Sequence, residues 1–321
     1  MCNFLSTIVL KNLDIIWDPG YPDRHEELIK KHNLVDDEKG FYLEKSCRVE
    51  FIPIDPTKNL NDIHNWNLSI DKSNIPEWLS VEIIKNKLWT IISGMFVQDK
   101  RETLQDGCYI LLDGAEVKDV NNCRIQYMTG NSKVEAMRGS SKVGVMKGNS
   151  EIETMRGSSK VGVMWENSKI WAIERDSKVG VMWDNSKVEV MWENSKVEAM
   201  MGNSKIVSMR GTSKVETMLG NSEVETMLEN SKVEGMWVDS KVVSMCGTSK
   251  VEVMWENSKV EAMMGSSKVE VMRENSKVVS MCGTSKVETM WENSKVETMW
   301  ENSKVETMWE NSKVDNNFRE K

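Results

Sequence analysis

Three histidines (His25, His32, His64) and six cysteines (Cys2, Cys47, Cys108, Cys123, Cys246, Cys282) are the residues of this 321-residue chain best suited to metal ligation or nucleophilic catalysis. Their spacing supports neither. The histidines are scattered through the first quarter, and the cysteines form no Cys-x-x-Cys pair and no dense disulfide framework. Beyond His64 no imidazole is left to serve as base to a nucleophilic serine. No Gly-rich phosphate loop appears, and the acidic residues of the first part of the chain are scattered as well. The chain is therefore expected to be non-enzymatic, with no catalytic, cofactor-binding or metal-ligating residue.

The residue that does recur in register is tryptophan. Six of the 13 tryptophans, Trp165, Trp183, Trp237, Trp255, Trp291 and Trp309, are separated by whole multiples of one spacing, the interval from Trp165 to Trp183. Exposed indole rings in a line supply apolar contact area and anchor partners. The competing reading is that the rings stack on one another and only stabilise the element that carries them.

That element is a nonapeptide array. From Asn131 onward the chain repeats Ser-Lys-Val-Glu-x-Met-x-x-Asn without insertion or deletion. With the Val taken as position 0, it falls at 134, 143, 152 (Ile), 161 and so on to 314. The Ser two places earlier is constant from Ser132 to Ser312, and the Met three places later fails only at Ile173 and Asn317. Nine is not a helical period; coiled coils need seven or eleven. Ser-Lys-Val-Glu-x alternates with period two instead, which puts Ser, Val and the small x residue on one face and Lys and Glu on the other. Small inward residues and a Gly/Asn/Ser bend every nine residues predict a β-solenoid.

Alternate units differ, which sets the size of the coil. Position +6 is nearly pure Asn in one set of units: Asn149, Asn167, Asn185, Asn203, Asn221, Asn257, Asn275, Asn293 and Asn311, with Asp239 as the exception. In the other set it is mixed. The alternation predicts two strands and about 18 residues per coil, and about ten coils in a rod of about 50 Å. The Asn column is expected to form an amide ladder at the bend. Met, unbranched and adaptable, suits an inward corner.

Net charge is −8, with 29% charged residues. This argues against a nucleic-acid partner recognised by bulk charge. Lys at −1 and Glu at +1 predict a mixed-sign, screened outer face. No apolar run is long enough to span a membrane. The N-terminus lacks a basic stretch and a cleavage site, so a reduced, cytoplasmic protein is expected.

The chain divides into residues 1–107, a small α/β capping domain, and residues 108–321, the solenoid. In the cap, a helix is expected after Pro22 with Asp23 as its N-cap, and strands between Phe41 and Ile54. A second helix capped by Ser80 is expected to bury Val81, Ile84, Leu88 and Ile91. Trp66, Trp78 and Trp89 read as core. At the other end, an open coil around Val314 and Phe318 exposes strand edges. It is a candidate contact for an end-to-end homodimer.

Trp66-Asn67-Leu68-Ser69-Ile70-Asp71 with Pro76-Glu77-Trp78, then Asp113-Gly114-Ala115-Glu116-Val117-Lys118 and Gly130-Asn131-Ser132-Lys133-Val134, resemble motifs of uncharacterised repeat β-solenoid proteins of gut bacteria and their phages. The resemblance implies a solenoid and carries over no functional residue. The expected function is that of a protein-interaction or scaffold rod. The alternative is a phage- or mobile-element-encoded inhibitor of a host defence protein, acting by mimicry of a nucleic-acid surface.

Overall fold

Each nonapeptide makes one short strand, running from the Lys slot to the Met slot, as in Lys142–Met146, Lys160–Met164 and Lys178–Met182. The computed structural model describes residues 5–20, 24–34, 46–55, 58–70 and 75–318. Within it, strands β5 (Phe96–Val97) and β6 (Lys100–Gln105) through β29 (Lys304–Met308) and β30 (Lys313–Phe318) sort by parity into two 13-stranded parallel sheets. Each strand of the array pairs with the strand two units away, Val143 with Val161 and Val161 with Val179. The fold is thus a β-solenoid with two strands per coil and coils of ~18 residues.

There are about twelve coils rather than about ten. The reason is that β5, β6 and Cys108–Leu111 join the two sheets although they lack the Ser-Lys-Val-Glu pattern. Parallel pairing requires backbone complementarity, and it does not require the repeat's side chains. At about 4.8 Å per strand the rod is close to 60 Å long.

Val at 0 and Met at +3 are buried from Val134 to Met299, in one continuous apolar cluster. The x residue at +2 is not inward, as strict alternation required; it is half-buried on the outer side. The ladder explains this. It pairs Lys142 with Lys160, Val143 with Val161, Val145 with Val163 and Met146 with Met164, and passes over Gly144 and Gly162. Period two is broken at +1, so the Val and Met columns both reach the interior.

The constant Ser at −2 is fully buried in every unit from Ser132 to Ser303. Some hydroxyls donate to the carbonyl of the preceding bend, Ser159 to Arg156 (3.0 Å) and Ser303 to Trp300 (2.7 Å). Many others, Ser231 and Ser258 among them, have no hydrogen-bond partner.

The cap is a four-stranded antiparallel sheet in the order β2-β1-β3-β4, where β1 is Leu5–Leu10, β2 Ile15–Ile16, β3 Ser46–Pro53 and β4 Trp66–Ile70. Helices α1 (His25–Lys31) and α2 (Val81–Ser93) accompany it. Arg24, not Asp23, stands at the N-cap of α1; Asp23 and residues 41–45 lie outside the described residues. Ser80 occupies the N-cap of α2 without a side-chain bond. That helix buries Ile84, Leu88 and Ile92 and leaves Val81 exposed. The buried stripe follows the helical row i, i+4, i+8. Trp66 is fully buried and donates its indole N–H to the Leu60 carbonyl at 2.9 Å. Ile110 and Leu112 of the first coil pack in the same cluster as α2, so cap and rod share a core.

Candidate functional site: the aromatic edge

Position +4 follows the Met corner, and its side chain folds back over position +2 of the same strand. A Cβ on Gly235 would stand 2.8 Å from Nε1 of Trp237. Arg210 Nε donates to the Ser208 hydroxyl at 3.4 Å, and Ser244 Oγ lies 3.6 Å from Cys246 Sγ. Position +2 is small because the +4 side chain lies across it.

Successive +4 side chains on one edge then meet along the rod. Trp165 and Trp183 have ring centroids 6.1 Å apart at 34°. Trp237 and Trp255 are stacked at 5.2 Å and 12°, and Trp291 and Trp309 at 5.4 Å and 16°. Met201 and Leu219 separate the first pair from the second. Between Trp255 and Trp291 the column inserts Arg273, whose guanidinium carbon lies 4.9 Å from one ring centroid and 5.8 Å from the other. The slot between two ring faces is a cation–π site. Sequence reasoning singled out the tryptophans and missed Arg273, although its position, two repeat units after Trp255 and two before Trp291, was a legible sign.

All six candidate rings reach the surface. Trp165, Trp183 and Trp309 are exposed (43%, 39% and 51%), and Trp237, Trp255 and Trp291 are half-buried. The opposite edge is more varied. There Arg210 covers Trp192 at 4.7 Å, and Trp300 stacks on Phe318 at 4.6 Å. Trp171, at +1 on a broad face, lies under the Lys169 ammonium at 3.3 Å.

The Asn column beside the tryptophans behaves differently in its two halves. Asn149 donates to Asn131 at 3.1 Å, Asn167 to Asn149 at 3.5 Å, Asn203 to Asn185 at 3.5 Å and Asn221 to Asn203 at 3.4 Å. Asp239 interrupts the column. After it, Asn257, Asn275 and Asn293 adopt left-handed φ near 60°, and the backbone N–H groups of Asn257 and Asn275 donate forward to the carbonyls of Glu274 and Glu292. Asn311 is exposed.

The broad faces carry a Lys–Glu lattice. Lysines bridge the Glu of their own strand and the Glu one coil further: Lys214 to Glu216 (3.5 Å) and Glu234 (2.7 Å), Lys232 to Glu234 (3.2 Å) and Glu252 (2.7 Å). Hydrogen bonds from Lys196, Lys214 and Lys268 hold the carboxyls of Glu216, Glu234 and Glu288 below the usual Glu range. Where Glu223 replaces Lys, it takes Lys205 at 2.9 Å and Lys241 at 3.5 Å, which have Val207 and Val243 in place of their own Glu. The faces are nearly neutral and largely self-satisfied, which leaves the edges as the chemically open surfaces.

Other features carry little chemistry. A cleft of about 400 Å³ between cap and first coils is lined by Asp18, Asp106, Arg124 and Lys142. Burial pushes the Cys123 thiol beside it up to about 12, which removes it as a nucleophile at neutral pH. Among the described residues, no three His, Cys, Asp or Glu side chains are grouped to hold a metal ion, and no helix is long and apolar enough to cross a membrane. The chain matches no known protein family, and no curated protein or solved structure shows significant similarity to it.

Proposed function

We propose that the protein is a non-enzymatic interaction rod whose tryptophan edge is the contact surface for a protein partner. The observation that carries this reading is the column itself. Its rings stack on one another yet remain half-exposed or exposed along the rod, from Trp165 to Trp309. Self-stacking alone would be served by burying them. Alanine at Trp165, Trp183, Trp237 and Trp255 is expected to abolish partner capture from a bacterial lysate while circular dichroism remains that of a folded rod. Equal capture by variant and wild type would refute the contact surface.

The same reading places the protein in the bacterial cytoplasm, in keeping with the buried, reduced thiol of Cys123. Its resemblance to repeat proteins of gut bacteria and their phages supports that host. A second copy is the proposed partner at the coil of β29 and β30, where Val314 is half-buried and Phe318 is 53% exposed. Light scattering at high protein concentration that gives only monomer would dismiss this contact. The near-neutral Lys–Glu faces speak against mimicry of a nucleic-acid surface.

A further inference from the structure

The charges of the C-terminal half of the aromatic edge indicate what kind of segment it fits. Glu256, Glu292 and Glu310 directly follow Trp255, Trp291 and Trp309, and Glu274 follows Arg273. None of these four carboxylates pairs with a cation among the described residues, unlike the glutamates of the broad faces. Stacked about 4.8 Å apart, they repel one another and attract positive charge. Each also sits at a left-handed φ, between 46° and 53°. On the opposite edge of the same coils that slot holds Gly247, Gly265 and Gly283, with Glu301 only in the last of them. Glycine takes such a φ without strain. The chain thus keeps carboxylates where glycine would be easier.

A second, independent observation gives the cation. The ladder already contains one guanidinium, that of Arg273, held between the faces of Trp255 and Trp291. Its Nε is buried without a hydrogen-bond partner. Ring faces hold it. On the other edge the guanidinium of Arg210 lies over Trp192 in the same way. Aromatic columns of this rod therefore accept planar cations, and on the Trp237–Trp309 edge unpaired carboxylates stand beside them.

Resting on the reading of this edge as a protein contact surface, we propose that it binds a basic, arginine-rich, extended segment of a partner protein, laid along the rod axis. From Trp237 to Trp309 the edge spans about 19 Å, the length of about six extended residues. Guanidinium groups of the segment meet Glu256, Glu274 and Glu292, and its side-chain stems lie against the half-exposed indoles. The Lys–Glu faces do not compete, because their carboxylates are already taken.

The test titrates the full chain with a synthetic oligo-arginine peptide and follows tryptophan emission and heat. Three proteins are compared: wild type, the edge variant Glu256→Gln/Glu274→Gln/Glu292→Gln, and the control Glu193→Gln/Glu229→Gln/Glu301→Gln. The control removes the same charge from the opposite edge. Wild type and control should bind alike, and the edge variant at least about ten-fold more weakly, the scale of losing charge pairs at an interface. Where the triple variant is unstable by circular dichroism, Glu274→Gln alone should weaken binding in the same direction. Equal loss in edge variant and control, or no saturable binding by wild type, would overturn the proposal. Binding of an oligo-glutamate peptide abolished by Trp255→Leu would overturn the basic partner while leaving the contact surface standing.

Discussion

Trp255 lies flat on Trp237, centroids 5.2 Å and planes 12° apart, although it stands two repeat units further along the chain. A coil of two units brings position +4 of every second unit to the same edge, and the small +2 column gives each ring a place to lie. One consequence is energetic. Aromatic pairs contribute about 0.5–1.5 kcal/mol beyond the area they bury. A double-mutant cycle with Trp237→Leu and Trp255→Leu, read by denaturant unfolding, should give a coupling of that size. Additive single effects would show that the rings sit side by side without interacting.

The coil length makes a second prediction. Deleting 249–266, two units, removes one coil and keeps every later residue on its edge; Arg273 then stands against Trp237. Deleting 249–257, a single unit, moves every later unit to the other edge, so that Met264 replaces an indole beside Trp237. Both variants lose the Trp237–Trp255 pair and keep Trp165 on Trp183 and Trp291 on Trp309. The first should place a guanidinium against Trp237 and the second a thioether, so their tryptophan emission spectra should differ at similar β content. Identical spectra would contradict a two-unit coil with distinct edges.

Gly162 at +1 provides a third. A Cβ there would stand 2.6 Å from the carbonyl oxygen of Gly144, a backbone atom that cannot swing aside. Ala is ordinarily better than Gly in a strand, yet Gly162→Ala should destabilise by about 1–3 kcal/mol, the range for forced overpacking. Thermal unfolding at wild-type temperature or above would show that the coils can separate locally.

The buried serines give a fourth. Ser231 Oγ has no partner, whereas Ser303 Oγ donates to Trp300. A buried hydroxyl without a bond costs about 1–3 kcal/mol. Ser231→Ala should therefore be neutral or stabilising, and Ser303→Ala destabilising by up to about 1.5 kcal/mol. Equal losses at both sites would mean that Ser231 finds a bond through another rotamer.

Stability should also depend on pH through the lattice. Glu216, Glu234 and Glu288 titrate below their ordinary 4.5 because lysines donate to them. A depressed carboxyl contributes stability that is complete above the unfolded-state value and is lost as pH falls through the folded one. Lys214 titrates above 10.5 because Glu234 accepts from it, so its contribution is complete below that value and lost as pH rises further. Melting temperature should be flat between these limits and fall in acid below about pH 4.5. Each exposed pair contributes little and is screened, so high salt should shrink the acid slope. An acid slope unchanged by salt would place its cause elsewhere.

Much of this architecture is legible in the chain. Register-perfect Ser, Val and Met columns define the interior, and the alternation of Asn at +6 separates the two edges. Two points were hidden. The inward assignment of +2 failed because backbone pairing skips +1, which no period-two template anticipates. The first coils were missed because Phe96–Val97 and Lys100–Gln105 share the ladder without sharing the motif. At the edge, the tryptophans were evident from spacing. The inserted Arg273 was open to the same spacing argument, but the unpaired Glu256, Glu274 and Glu292 needed coordinates, since a charged residue in a variable slot looks like ordinary solvation until its neighbours are known.

The most direct test of the account is oxidative footprinting of the full chain, free and bound to a captured partner. Protection concentrated on Trp237, Trp255, Trp291 and Trp309, with Trp171 on the broad face unchanged, is the predicted result. Protection confined to the cap at Trp78 and Trp89, or spread evenly over edges and faces, would contradict it.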